Sequence, residues 1–403
     1  MMTKSCTFSA AILLALAGTW AQAQTTKIGD LFSASAFSSS TAMSKPTLTA
    51  TGSSLLLSDS PEELTDDLAL PGAFYRDKVS GQFRVFYHHQ NDSSVDLKIG
   101  LAITNTSKKS EILFGLGRGA GVNLYPDVAG QQALAAYIAS EKKISILKVL
   151  APGESYYSVQ DTPIGDTASG FEEYAAVAWT GSTKLTSLPL EMLSRMATKL
   201  EVGESPLNCV LGSGFAAGSV TVTTLDYTGT TAPTTPQSVT VLAGDSHIRG
   251  TFPHFNRVGT IPISTAAGIQ TLAVSTAAPG LDWSDPMPGE YEYGTDAVDG
   301  NAKVYNDGNY GVIYKFAVNF TGAQLFSAAP VGILMQPTGG AGQFVMKVNS
   351  RTLSSDYVDY TSAWWIGEVK DKAKKATVTI ETSLTGGSSG PQQLIFAPGF
   401  NGK

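Results

Sequence analysis

Four histidines, His88, His89, His247 and His254, and two cysteines, Cys6 and Cys209, are the chain's whole supply of imidazole and thiol metal ligands. A catalytic zinc usually takes three protein ligands at fixed geometry, and neither His-x-His nor His-Glu-x-x-His occurs. His88 and His89 are adjacent in an alternating stretch, so a strand sends them to opposite faces and denies them a shared ion. The expectation is therefore no metal, no cofactor and no assigned catalytic residue. Any catalysis would be acid–base chemistry by carboxyl groups.

Two constellations have residue types suited to holding a ligand. Asp245, His247 and Arg249 fall at every second position, which on a strand puts all three on one face with Ile248 on the other. Such a column would orient an anionic or polyhydroxyl ligand, or hold an acid–base pair; the plainer reading is a strand face of ion pairs. The second is 281–299, LDWSDPMPGEYEYGTDAVD. There Trp283, Tyr291 and Tyr293 interleave with Asp282, Asp285, Glu290, Glu292 and Asp296. Aromatic faces against sugar C–H groups, beside carboxylates that accept hydroxyl protons, make a carbohydrate platform of Trp283, Asp285, Tyr291 and Tyr293. The plainer reading is a capped loop with its aromatics in the core, and the spacing does not fit an EF-hand.

Several strings imitate known motifs. Gly386-Gly-Ser-Ser-Gly390 matches a nucleophile elbow, but Pro391 follows and no strand–turn–helix surrounds it. Gly115 to Gly121 has the look of a dinucleotide loop, yet its third position falls at Ala120. The stretch NDGNYGVIYKF, 306–316, reads as a tight turn. Asp307 and Gly308 would take positive φ and feed a strand with Val312, Tyr314 and Phe316 on one face. Cys209 reads as a small buried hydrophobe.

The elements that must position these residues are short strands separated by Gly, Pro, Asn and Asp. Alternation marks strands at 83–87, 96–103, 111–116, 143–150, 155–160, 173–179, 218–227, 237–243, 246–252, 268–275, 302–305, 311–320, 331–336, 343–349 and 376–382. Helical spacing appears at 127–141 and 187–200. The fold class is all-β with a few short helices, as two β-sandwich-like domains. The expected organisation is a signal peptide at 1–23, a Ser/Thr-rich flexible leader at 24–54, one sandwich at 55–202 and a second at 203–403. A minority reading makes the leader a strand donated to another subunit's sheet, since 46–51 alternates.

The signal expectation rests on Lys4, the apolar run Phe8 to Gly18 and the small-x-small site Ala21-Gln22-Ala23. That run is too short to span a bilayer, and no later run approaches spanning length. The net charge is −7, and only Lys108-Lys109 and the lysines of 370–375 form basic clusters, so nucleic acid is an unsupported partner. With charged residues at 15%, the chain has the balance of an extracellular β-protein rich in turns.

Ordered stretches carry a resemblance. LLLSDSPE, PGAFYRDKVSGQFRVFYHHQN, GLGRGAGVNLYPDVAGQQALAAYIAS, DSHIRGTFPH and GNYGVIYKF run from about residue 55 to 340. Together they resemble a group of uncharacterised secreted bacterial proteins, some of which carry an appended copper-amine-oxidase-like N-terminal domain. The resemblance implies an envelope or extracellular setting and implies no reaction. The expected function is a non-enzymatic binding module for polysaccharide or a surface partner, as monomer or oligomer. The alternatives are a carbohydrate-active hydrolase using carboxylates in 282–296, and a structural subunit assembling by strand exchange through 33–54.

Overall fold

The computed structural model describes residues 26–141, 143–179, 215–233, 238–241, 245–276, 278–279, 284–322, 330–370, 375–400 and 402. The signal at 1–23, the helix at 187–200, the boundary at 203, Cys209, Asp282 and Trp283 lie outside the described residues. The fold is mostly β with few helices, as expected, and Pro126–Ser140 is the one α-helix described.

Two pairs of large sheets make the architecture, with a two-stranded sheet of Ala341–Gly342 and Val358–Asp359 in addition. In the first pair, a ten-stranded sheet contains Gln82–Asn91 at its centre, flanked by Ser54–Ser58 on one side and Thr167–Trp179 on the other. A four-stranded sheet of Ser155–Thr162, Leu97–Asn105, Ser219–Tyr227 and Gly72–Ser80 packs on one face, around Val85, Tyr87, Ile99 and Val222. In the second pair, two six-stranded sheets enclose Tyr314, Phe316, Val318, Ile333, Trp364 and Phe396. Sheet on sheet with apolar inner faces is the sandwich arrangement.

The strand Asn256–Ser264 alternates strictly between buried and exposed positions, the mark of one wet face. Gln82–Asn91, by contrast, is buried along nearly its whole length. The four-stranded sheet covers one of its faces. The helix and the second sandwich cover the other, through Leu57, Phe86, Leu134, Phe171, Phe255 and Ile313. Burial on both faces is why the adjacent pair His88 and His89 is withdrawn from water on both sides.

The glycine run at 115–121 has a packing role. A Cβ at Gly119 would lie 1.9 Å from the carbonyl oxygen of Ala133, and one at Gly121 2.2 Å from that of Ala129. At Gly117 it would meet the Tyr137 ring at 2.7 Å. Alternation puts these glycines on one strand face, and they open the groove in which the helix lies directly on the sheet. Its buried side is Ala129, Gly130, Ala133, Leu134, Tyr137 and Ile138.

Arg84 clamps the seam between the two sandwiches. Its guanidinium donates to the carbonyls of Phe255 and Gly311, to Tyr137 Oη and, at 2.8 Å, to Glu173 Oε2. It also lies against the rings of Tyr137, Phe171 and Phe255. A charge this deep is tolerated because nearly every donor is matched.

Chain order and architecture diverge at both ends. Residues 31–51, read above as a leader, contribute Leu31–Ser33, Thr41–Ala42 and Thr49–Thr51 to the two six-stranded sheets of the second sandwich. Conversely, Arg249–Phe252, Tyr293–Asp296 and Ala302–Tyr305 extend the ten-stranded sheet of the first. The sandwiches are interleaved along the chain.

Candidate functional site

Ser54–Ser58 runs parallel to Gln82–Asn91 with Ser58 opposite Tyr87, so Asp59 and His88 follow side by side where the pairing ends. Alternation then sorts the neighbours. Ser58 and His89 face the first sandwich core; Asp59 and His88 face the seam.

His89 is fully satisfied. Its Nδ1 lies 2.6 Å from the Pro61 carbonyl, which only accepts, so that nitrogen carries the proton. Its Nε2 accepts from Ser58 Oγ at 3.1 Å, and Ser58 meets Thr224 Oγ1 at 2.7 Å. Burial pulls the His89 pKa down to about 4. This histidine is structural.

His88 differs. It is 2% exposed, and neither ring nitrogen has a partner. Burial, with the neighbouring His89 and His247, lowers its pKa to about 3, so the ring is neutral, with one donor and one acceptor unused. Asp59 Oδ1 is likewise withdrawn from solvent and unpartnered. Burial, then the charges of Glu62 and Asp245, raise the Asp59 pKa well above the carboxylate range.

Both groups line a cavity of about 300 Å³ with Leu57, Glu62, Phe86, His247, Ile248, Asp307, Tyr310 and the loop 386–389. Two further cavities adjoin it. One of about 310 Å³ shares Glu62, Ser246 and His247 and adds Pro61, Glu63, Thr65 and Asp245. The other, of about 160 Å³, shares Asp307, Tyr310 and Ser389 and adds Ser275, Thr276 and Pro391. The three form a groove along the seam. It carries five carboxyl groups, at Asp59, Glu62, Glu63, Asp245 and Asp307, and no lysine or arginine among its lining residues.

The walls are held from several elements. His247 sits between two carboxylates, with Nδ1 2.9 Å from Asp245 Oδ1 and Nε2 2.6 Å from Glu62 Oε2. Asp245 opposes its own partial burial by accepting from the His247 amide and Ser60 Oγ, and its pKa stays below the ordinary value. On the opposite wall, Asn309 N donates to the Asn306 carbonyl at 2.9 Å and Val312 N to that of Asn309 at 3.1 Å. Gly308 at φ 85° and Gly311 at φ 77° occupy the third positions of these two turns, the type II pattern. Positive φ falls at Gly308, as expected, and at Asn309 rather than at Asp307. Asp307 is thereby left to accept from the Ala278 amide and face the groove. Tyr310 Oη donates to the Ser388 carbonyl, tying this wall to the loop 386–389. Ser388 Oγ is itself occupied by Thr385 Oγ1 and the backbone of Gln343, so the elbow-like string supplies no free nucleophile at that position.

The structure divides the residues singled out in the sequence. Asp245 and His247 meet at the groove, in a loop rather than on a strand. Arg249 begins the strand and turns away: it is 5% exposed, pairs with Asp296 at 3.0 Å and donates to the carbonyls of Phe74 and Thr240. The expected column of three on one face is therefore a pair in the groove and a structural ion pair beneath it.

In 284–299, Asp285 is at the surface and paired with Lys45. Glu290 is buried among the amides of Ser275 and Met287 and Tyr314 Oη. Glu292 pairs with His254 and Arg257. Tyr291 is partly buried with its hydroxyl on the Thr276 carbonyl, and Tyr293 packs on Tyr305 and Lys303 at the surface. None of these residues lines the groove. Asp59, Glu62, His88, Asp307 and Tyr310 do, and they belong to the segments LLLSDSPE, VFYHHQN and NDGNYG. Sequence reasoning missed them as a site; the signal that could find them is the cluster of polar residues at the ends of apolar runs.

Among the described residues, no group of three or more His, Cys, Asp or Glu is arranged to hold a metal ion. No described helix is long and apolar enough to cross a membrane. No protein-family model and no curated protein matches the chain. Among solved structures, one titled "A Structural Element that Modulates Proton-Coupled Electron Transfer in Oxalate Decarboxylase" is 10% identical over 87% of this chain and 79% of that chain. Its TM-score of 0.13 carries no argument.

Proposed function

We propose that the chain is an exported envelope or extracellular binding module that takes a short stretch of polysaccharide in the seam groove. The observation that carries this reading is the run of three adjoining cavities, whose shared walls combine unpartnered hydrogen-bonding groups with aromatic and aliphatic faces. A sugar presents the matching surface, hydroxyls around a ring and C–H groups across its faces. His88 supports it further, since a neutral buried imidazole with both nitrogens unused suits a pair of hydroxyl partners. The central cavity is at the lower end of the ~300–1,000 Å³ typical of small-molecule clefts, which suits one sugar unit per cavity.

The test is a glycan array followed by titration of the hits into the parent protein and His88→Phe. Binding by the parent with at least a tenfold loss in the variant supports the reading; a parent that binds nothing on the array overturns it.

A second reading, a hydrolase, draws support from Asp59 and Glu62 in one cavity, because two carboxyl groups lining a single cleft are what acid-assisted glycoside cleavage uses. Release of reducing ends from a bound glycan, lost in Asp59→Asn while binding persists, distinguishes it from a binder.

A further inference from the structure

The groove's charge restricts which glycan it suits, an inference that rests on the glycan reading above. Five carboxyl groups with no lysine or arginine among the lining residues disfavour uronic-acid or sulfated polymers. Two unpartnered groups point to a ligand rather than to a solvated acidic surface. These are His88, buried with both nitrogens unused, and Asp59 Oδ1, withdrawn from water beside it. Phe86 and Tyr310, with ring centroids 6.0 Å apart, are also among the residues that line this cavity. We infer that the central cavity takes an amine-bearing sugar, a hexosamine unit with a free ammonium group, with Asp59 as its counter-ion and His88 on an adjacent hydroxyl.

The proton balance follows. Groups face Asp59 from each element around it: Glu62 from its own segment, His88 from the neighbouring strand, Asp245 and His247 from the loop before Arg249. Asp307 and Tyr310 come from the turn opposite. In the empty groove, burial, then the charges of Glu62 and Asp245, push Asp59 toward its protonated form. An arriving ammonium favours the carboxylate, so the Asp59 O–H bond breaks, the proton passes to solvent, and an ammonium–carboxylate pair remains. Binding of the amine therefore releases a proton, and binding of a neutral sugar does not.

The experiment uses three β-1,4-linked trimers that differ only at the second carbon: the glucosamine trimer, its N-acetylated form and the glucose trimer. Each is titrated into the full chain at about pH 6 by calorimetry, in two buffers of different ionisation enthalpy; spermidine and calcium chloride are parallel arms. The expected result is glucosamine-trimer binding at least tenfold tighter than either neutral trimer, with a buffer-dependent heat that reports proton release. In Asp59→Asn the preference for the amine and the proton release should disappear. Equal binding of all three trimers would overturn the amine inference and leave the glycan reading standing. Spermidine binding with proton release and no sugar binding would keep the counter-ion role and remove the glycan reading. Calcium binding with the same proton release would make the site one for simple cations and overturn amine selectivity. No binding in any arm overturns both.

Discussion

Gly386 and His88 share one space: a Cβ on Gly386 would stand 2.3 Å from Nδ1 of His88. The loop 386–389 closes the groove over the imidazole only because position 386 has no side chain. The same residue meets the helix from the other side, where a Cβ on Gly130 would lie 2.2 Å from the Gly386 carbonyl oxygen. The helix, the loop and the groove histidine are thus packed in series, and the helix sets how closely the loop approaches His88.

Gly386→Ala should therefore push either the loop or the imidazole aside. Overpacking of this kind costs about 1–3 kcal/mol of stability, read by urea unfolding. Glycan affinity should fall at least tenfold in the same protein. Unchanged affinity with lowered stability would mean that His88 does not touch the ligand.

Arg84→Met should be among the most damaging single changes in the seam. It removes the buried cation from Glu173, which keeps Tyr137 Oη and Gln82 Nε2 as donors, and takes a donor from the carbonyls of Phe255 and Gly311. Removing one partner of a buried ion pair costs about 3–5 kcal/mol. A loss under about 1 kcal/mol in chemical unfolding would refute the clamp.

Arg249→Met and His247→Ala separate architecture from groove. Arg249 is buried on Asp296 and should cost about 3–5 kcal/mol. His247, with its side chain 41% exposed, meets Asp245 and Glu62 in contacts of the surface kind, worth about 0–1 kcal/mol. The expected pattern is a large drop in Tm for the first. The second should keep a near-parental Tm and lose glycan binding.

The pH dependence has two opposing contributions. His88 and His89 titrate at about 3 and about 4 in the fold, against an ordinary value of 6.5. Between 6.5 and those values the unfolded chain binds protons that the folded chain refuses, so stability falls as pH falls through that window. His88→Gln should flatten the slope of unfolding free energy against pH there. Asp59 works the other way. Its proton is held in the fold above the ordinary 3.8, so its contribution is full below 3.8 and is lost as pH rises through the raised value. Asp59→Asn should accordingly raise Tm at pH 7. A lowered Tm would show that the Asp59 carboxyl is better satisfied than its unpartnered oxygen implies.

The sequence by itself determined the strands, because alternation at period 2 is a local property. The segments read as 218–227, 311–320 and 376–382 form Ser219–Tyr227, Ile313–Thr321 and Lys375–Thr382. Helical spacing, equally local, marked the helix at 127–141, which forms Pro126–Ser140, and alternation separated His88 from His89, because neighbouring strand residues cannot share a face. What only the tertiary structure decided was which polar residues meet. Asp59, His88, Asp245 and Asp307 are spread over some 250 positions of the chain and come together because two sandwiches dock along a common seam. Period-2 spacing placed Asp245, His247 and Arg249 on one face, but the strand starts at Arg249, and a buried partner 47 residues away, Asp296, claims its guanidinium. Local pattern fixes direction along a strand. The partner that a charge finds, and hence whether it is structure or site, is set by the elements packed across from it.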